Sequence, residues 1–281
     1  TVGFIAAMWF VDLTHIGGVQ IKLTEWQLYV SALLSFVLAV YSFSLPGCPV
    51  QRSVQKQSWV DTLGLRAFAL FKEKRMAIFF IFSMLLGAAL QITNAFGDSY
   101  IQNFGTMAEY ADSAIVKHSV ILLSLSQMSE TFCILLIPFF LKRFGIKKVM
   151  LISMLAWVLR FGLFGLGDPG SGVWMFVLSM IVYGVAFDFF NVSGSLFVDK
   201  ETDLSIRSSA QGLFIIMTNG IGATVGTLSA QAVVNCFVDF NSQAPQVEGW
   251  SRAWFVFAAY ALVVAVTFAL VFKYKHKVDN E

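Results

Sequence analysis

Residues 75–97 read RMAIFFIFSMLLGAALQITNAFG, and this stretch decides the fold. From Met76 to Gly97 nothing is charged, and Asp98 follows at once. A helix needs about 20 such residues to cross a hydrocarbon core roughly 30 Å thick. A membrane β-strand would instead alternate apolar and polar residues over about 10 positions, and no alternation is present. The run predicts a transmembrane helix. Its two amides, Gln91 and Asn94, stand three residues apart and so share one helix face.

The composition extends this reading to the whole chain. Of 281 residues, 57% are apolar, 13% are charged and 29 are Phe, with a net charge of +2. Soluble domains carry roughly 25% charged residues, so most of this surface meets lipid rather than water. Such apolar content excludes intrinsic disorder, and no basic face is clustered for nucleic acid. Cys48, Cys133 and Cys236 are scattered and odd in number, which excludes a disulfide scaffold.

Uncharged runs predict eight spans, at 1–13, 26–46, 76–98, 117–141, 149–167, 172–198, 207–236 and 252–272. The first is short and opens on Thr1 without an initiator Met, so the expectation is a chain that begins part-way along a helix. Alternate connections and the tail hold Arg52, Lys56, Arg66, Lys72, Lys74, Arg75, Lys142, Arg143, Lys147, Lys148, Lys200, Arg207, Lys273, Lys275 and Lys277. Against these, Lys22, Lys117 and Arg252 lie on the other side, with Arg160 inside a span. Lys and Arg mark the cytoplasm, so the C-terminus is expected there.

The long connection, 47–75, divides the chain into 1–46, two helices of an N-terminal bundle, and 76–281, a six-helix bundle. Within it Trp59, Leu63, Ala67, Leu70 and Phe71 recur at helical spacing, which predicts an amphipathic helix along the membrane surface. If the first bundle matched the second, four more spans would precede residue 1, giving an all-α polytopic bundle of twelve.

Function should reside in polar groups that lipid would exclude, because those that persist face the bundle interior or a wet cavity. These are Gln91 and Asn94, then Gln127 and Glu130, then Asp188 and Asn191, with Tyr183 and Phe187 about a turn earlier. Each polar pair has i, i+3 spacing. Amides offer a donor and an acceptor, suited to sugar hydroxyls and base edges, and flat rings allow stacking. No cationic cluster awaits a phosphate. The expected ligand is an uncharged, hydrogen-bonding, partly aromatic solute, without cofactor.

Glu130 is the candidate proton-coupling acid, since desolvation favours its neutral form and wetting restores the charge. Asp188 and Arg160 occupy consecutive antiparallel spans, so they form an ion pair or Asp188 shares in proton handling. Other features read more plainly. The phenylalanines pack or face lipid. Gly220, Gly222 and Gly226, beside Thr218 and Asn219, permit close helix approach. His15, His118 and His276 form no metal-ligand grouping, and Ser124, Ser126 and Ser129 have no expected His partner. No enzyme is indicated.

The turn LKRFGIKK, Leu141–Lys148, resembles the cytoplasmic basic turn of the major facilitator superfamily, although Lys142 stands where that pattern carries an aspartate. Together with RMAIFFIFSMLLGAALQITNAFG (75–97), SQMSETFCILLIPFFLKRFGIKK (126–148), MIVYGVAFDFFNVSGSLFV (180–198), SSAQGLFIIMTNGIG (208–222) and FKYKH (272–276), it makes the chain similar to the bacterial nucleoside:proton symporters of that superfamily. The resemblance implies a major facilitator-type helical bundle and proton-coupled nucleoside uptake across the bacterial inner membrane by alternating access. It implies nucleoside, protons and membrane lipid as partners, with no nucleic acid.

The resemblance also assigns substrate contacts to Gln91, Asn94, Gln127, Glu130, Tyr183, Phe187 and Asp188, with Thr1 and Phe4 contributing from the first helix; the candidates for proton coupling are Glu130 and Asp188. A passive facilitator, or a sensor for a neutral polar solute such as a sugar, is the alternative.

Overall fold

A computed structural model describes residues 2–16, 19–21, 24–47, 64–242 and 244–274, apart from the side chains of Val2, Phe4, Ile16 and Gln20. Seven main helices account for nearly all of it: α1 Val2–Leu13, α2 Trp26–Ser42, α3 Lys74–Asn103, α4 Ser119–Leu166, α5 Val173–Glu201, α6 Arg207–Phe237 and α7 Val247–Val271. A two-residue antiparallel ladder, His15–Ile16 with Val19–Gln20, follows α1. The helices from α3 to α7 are long and apolar enough to cross a membrane. The protein is an all-α, multi-pass membrane protein.

The spans expected at 117–141 and 149–167 form one helix of 48 residues, α4, with an internal break. Straight, it would run about 72 Å, more than twice the hydrocarbon thickness. Gly145 breaks it at φ 74° and ψ 166°, a conformation essentially reserved for glycine. The two arms fold back beside α5. Phe140 meets Phe189 from the first arm, and Arg160 meets Ser179 from the second. The basic residues 142–148 are therefore helical on both sides of a single-residue reversal rather than a loop.

Only part of the expected 47–75 linker helix is described. From Leu65 to Lys72 it is a 3₁₀ helix, not an α-helix, and it starts after Gly64 at φ 67°. Ala67 is buried and Phe71 lies 5.4 Å from Phe80, but Leu65 and Phe68 are exposed, so the apolar side is only partly covered. Trp59 and Leu63 lie outside the described residues. Helix α2 ends at Ser42, short of the predicted 46, and buries no residue.

Two aromatic clusters hold the bundle, one towards each end. Phe79 gathers Phe190, Phe197, Phe214 and Phe272 at centroid distances of 4.7–6.5 Å. Tyr100 gathers Phe104, Phe164, Phe176, Trp250 and Trp254 within 5.2–6.1 Å. Such ring pairs add about 0.5–1.5 kcal/mol each beyond simple burial. Helix α6 packs on α3 through Gly87, Gly222 and Gly226, where an added Cβ would collide with facing backbone. Between these contacts its turns at Ile216–Gly222 widen to π geometry, a form frequent at functional sites.

Candidate functional site

Close approach of α5 to the first arm of α4 creates the site. A Cβ on Gly184 would come within 2.6 Å of both Ser129 oxygens and 2.7 Å of Cys133 Sγ, so only glycine allows this spacing. Ser129 Oγ donates to the Ile181 carbonyl and locks the two helices in register. Tyr183, next to Gly184, is thereby brought into the electrostatic neighbourhood of the Glu130 carboxyl.

Around this contact the expected residues assemble in part. Gln127 Nε2 donates to Glu130 Oε1 at 3.1 Å, and both side chains are half-buried. The rings of Tyr183 and Phe187 stack at 5.5 Å with an interplanar angle of 17°, leaving Phe187 half-buried. On α3, Asn94 Nδ2 donates to Gln91 Oε1 at 3.3 Å. Asn94 is exposed and Gln91 half-buried, so this amide pair is open to a ligand. Asn191, in contrast, donates to the Phe187 carbonyl of its own helix.

The contribution of Arg160 was not read from the sequence. Its guanidinium is 1% exposed and lies 4.3 Å from the centre of the Tyr183 ring, a cation–π contact. Nη1 donates to the Ser179 carbonyl at 2.8 Å and Nε to Thr93 Oγ1 at 3.3 Å. One buried cation therefore ties α3, α4 and α5 together directly beneath the site. The Glu130 carboxyl lies within its electrostatic reach. Thr93, beside Asn94, brings the α3 amides to the depth of Tyr183.

The alternative of an Arg160–Asp188 ion pair is corrected. Helical rotation places residues 183 and 187 within about 40° of each other but carries residue 188 about 140° from 183. Arg160 binds on the Tyr183 side, and Asp188 points away from it. Asp188 is 5% exposed with no hydrogen-bond partner for Oδ2, and its electrostatic neighbours include Glu130, Tyr183 and Cys133 but not Arg160.

Thr1 lies outside the described residues, and of Phe4 only the backbone is described. Trp9 Nε1 donates to Ser124 Oγ at 2.8 Å, and His118 Nδ1 lies 2.7 Å from Asp12 Oδ2. Helix α1 thus runs antiparallel to the first arm of α4, and position 4 falls near the depth of Gln127. No group of three metal-ligating side chains occurs among the described residues. A separate cavity of 280 Å³ between α3, α6 and α7 is apolar, lined by residues such as Met84, Val225 and Tyr260, and includes none of the site residues.

Comparison with known proteins bears on this arrangement. The sequence pattern of the family described as "Nucleoside H+ symporter" matches residues 1–277. The chain belongs to this family. It is 52% identical to the nucleoside permease NupG of Escherichia coli (strain K12) and 53% identical to the xanthosine permease of the same organism. Each match covers 98% of this chain and 64% of the relative, so the chain spans somewhat under two-thirds of their length. A crystal structure of a mutant of the nucleoside transporter NupG superposes with a TM-score of 0.88 at 50% identity, over 97% of this chain and 65% of that one. The symporter family and this likeness show a major facilitator-type bundle, and the named relatives are permeases.

Proposed function

We propose that this chain forms part of a symporter that carries nucleosides together with protons across the bacterial inner membrane. The carrying observation is the cluster on α4 and α5: Glu130 bound by Gln127, facing Tyr183, and backed by the buried cation Arg160. A membrane-embedded acid with hydrogen-bonding partners can gain and lose a proton as its access to water changes. The Tyr183–Phe187 stack supplies a flat face for a base, and Gln91, Asn94 and Gln127 supply donors and acceptors for base edges and ribose hydroxyls.

In this reading Thr1 and Phe4 complete the substrate site from α1, and Glu130 and Asp188 handle the proton. Residues 1–46 belong to one bundle, 47–75 link it along the cytoplasmic surface, and 76–281 form the second bundle. The C-terminus is cytoplasmic, as the Lys and Arg bias supports. The two bundles rock about the shared site, and the ligand drives the change only by binding the occluded form more tightly than the open forms.

The test is uptake of labelled uridine by the full-length protein in proteoliposomes, with and without an inward proton gradient. Accumulation above equilibrium only with the gradient supports symport. Equal, purely downhill entry in both cases would make the protein a passive facilitator, and binding without flux would make it a sensor.

A further inference from the structure

Among the described residues helix α1 meets the bundle chiefly along the first arm of α4, where polar contacts join Trp9 to Ser124 and Asp12 to His118. Both lie at the end of the molecule remote from the Lys/Arg-rich connections. Asp12 is fully buried although it carries a carboxylate, and Ser124 is buried beneath the Trp9 indole. We propose that the Asp12–His118 pair, backed by Trp9–Ser124, is a latch that seals this end of the solute pathway and opens whenever the site faces that side. The proposal rests on the transport reading above.

Three observations carry it. First, the start of α4 is anchored independently to its own bundle. Ser119 Oγ donates to Asp98 Oδ1 at 2.5 Å, and Gln102 of α3 donates to Asp98 Oδ2 at 3.2 Å. Lys117 and Asp112 pair within the preceding connection. When the contact with α1 breaks, α4 therefore stays with α3 and α1 is the moving part. Second, the energetics suit a reversible contact. A buried, paired carboxylate gives up hydration for its partner at near-even balance, and it regains hydration when the helices part. An equally large contact between aliphatic side chains would resist opening into water. Third, the latch is linked to the site by one rigid element. His118 caps the start of α4, Ser119 precedes Glu130 by about 16 Å of helix, and Ser124 is about one turn from Gln127.

The test uses the full-length protein with its native cysteines replaced and Asp12→Cys and His118→Cys introduced together. A short bis-methanethiosulfonate reagent should join the two thiols, as verified by intact mass. Uridine uptake should then fall at least tenfold, with uridine binding retained in detergent and uptake restored by reductant. Uptake at the unlinked rate after complete cross-linking would overturn the latch, as would failure of the thiols to be joined. Absence of uptake in the full-length protein without substitutions would instead overturn the transport reading. Independently, Ser124→Cys should react several-fold faster with a membrane-impermeant maleimide once Asp12→Ala is added, in protein that still binds uridine. Equal rates would refute opening at this point.

Discussion

Gly184→Ala tests whether the approach of α5 to α4 sets the site. The added methyl would lie 2.6 Å from the carbonyl and hydroxyl oxygens of Ser129 and 2.7 Å from Cys133 Sγ, where ordinary contact begins at 3.4 Å. The helices must therefore separate by about 0.8 Å, or the Ser129 and Cys133 side chains must turn away. The Ser129 carbonyl is backbone and cannot rotate aside. Overpacking of this kind costs about 1–3 kcal/mol, a few degrees in thermal midpoint. Function should suffer more than stability, because Tyr183 is the next residue and must stay beside Glu130. A displacement near 1 Å at a positioned group is enough to cost about 100-fold.

The assay pairs thermal unfolding in detergent with uridine binding and gradient-driven uptake by the full-length protein. The expected result is a modestly lowered midpoint, binding weakened by about tenfold or more, and uptake nearly abolished. Adding Cys133→Ala removes one of the three collisions and should recover part of the stability but little uptake, since the carbonyl collision persists. Wild-type binding and midpoint in Gly184→Ala would refute the reasoning, for the two helices would then not be held at the distance described.

Further outcomes follow from the same geometry. Glu130→Gln keeps an acceptor for Gln127 but cannot ionise, so counterflow of labelled uridine should persist while proton-driven accumulation is lost; unchanged uphill uptake would end the assignment of Glu130 to coupling. Phe187→Ala removes the half-buried ring stacked on Tyr183, worth about 0.5–1.5 kcal/mol, and should raise the uridine Kd about 2- to 10-fold in calorimetry. Gly145→Ala forces an L-residue into φ 74°, ψ 166° and should cost about 1–3 kcal/mol, seen as a lower thermal midpoint. The comparison is Gly162→Ala, where nothing lies within 4 Å of the new methyl and the midpoint should hold or rise.

The membrane class, the approximate places of the spans and the polar positions of α3, α4 and α5 were legible in the sequence. Hydropathy is a property of each residue with respect to lipid, and i, i+3 or i, i+4 spacing places neighbours on one helix face whatever surrounds it. That is why Gln127 with Glu130 and Tyr183 with Phe187 could be paired in advance. Which side chains meet across helices depends on the rotation, depth and separation of whole helices, and packing alone decides these. Arg160 was visible as a buried charge, yet its attachment to Thr93, Ser179 and the Tyr183 ring follows from the rotation of α5 that turns Asp188 away. The reversal at Gly145 looked like an ordinary basic loop because no local pattern distinguishes the two. Asp12 and His118 lie 106 positions apart, and only the antiparallel seating of α1 on α4 brings carboxylate and imidazole together.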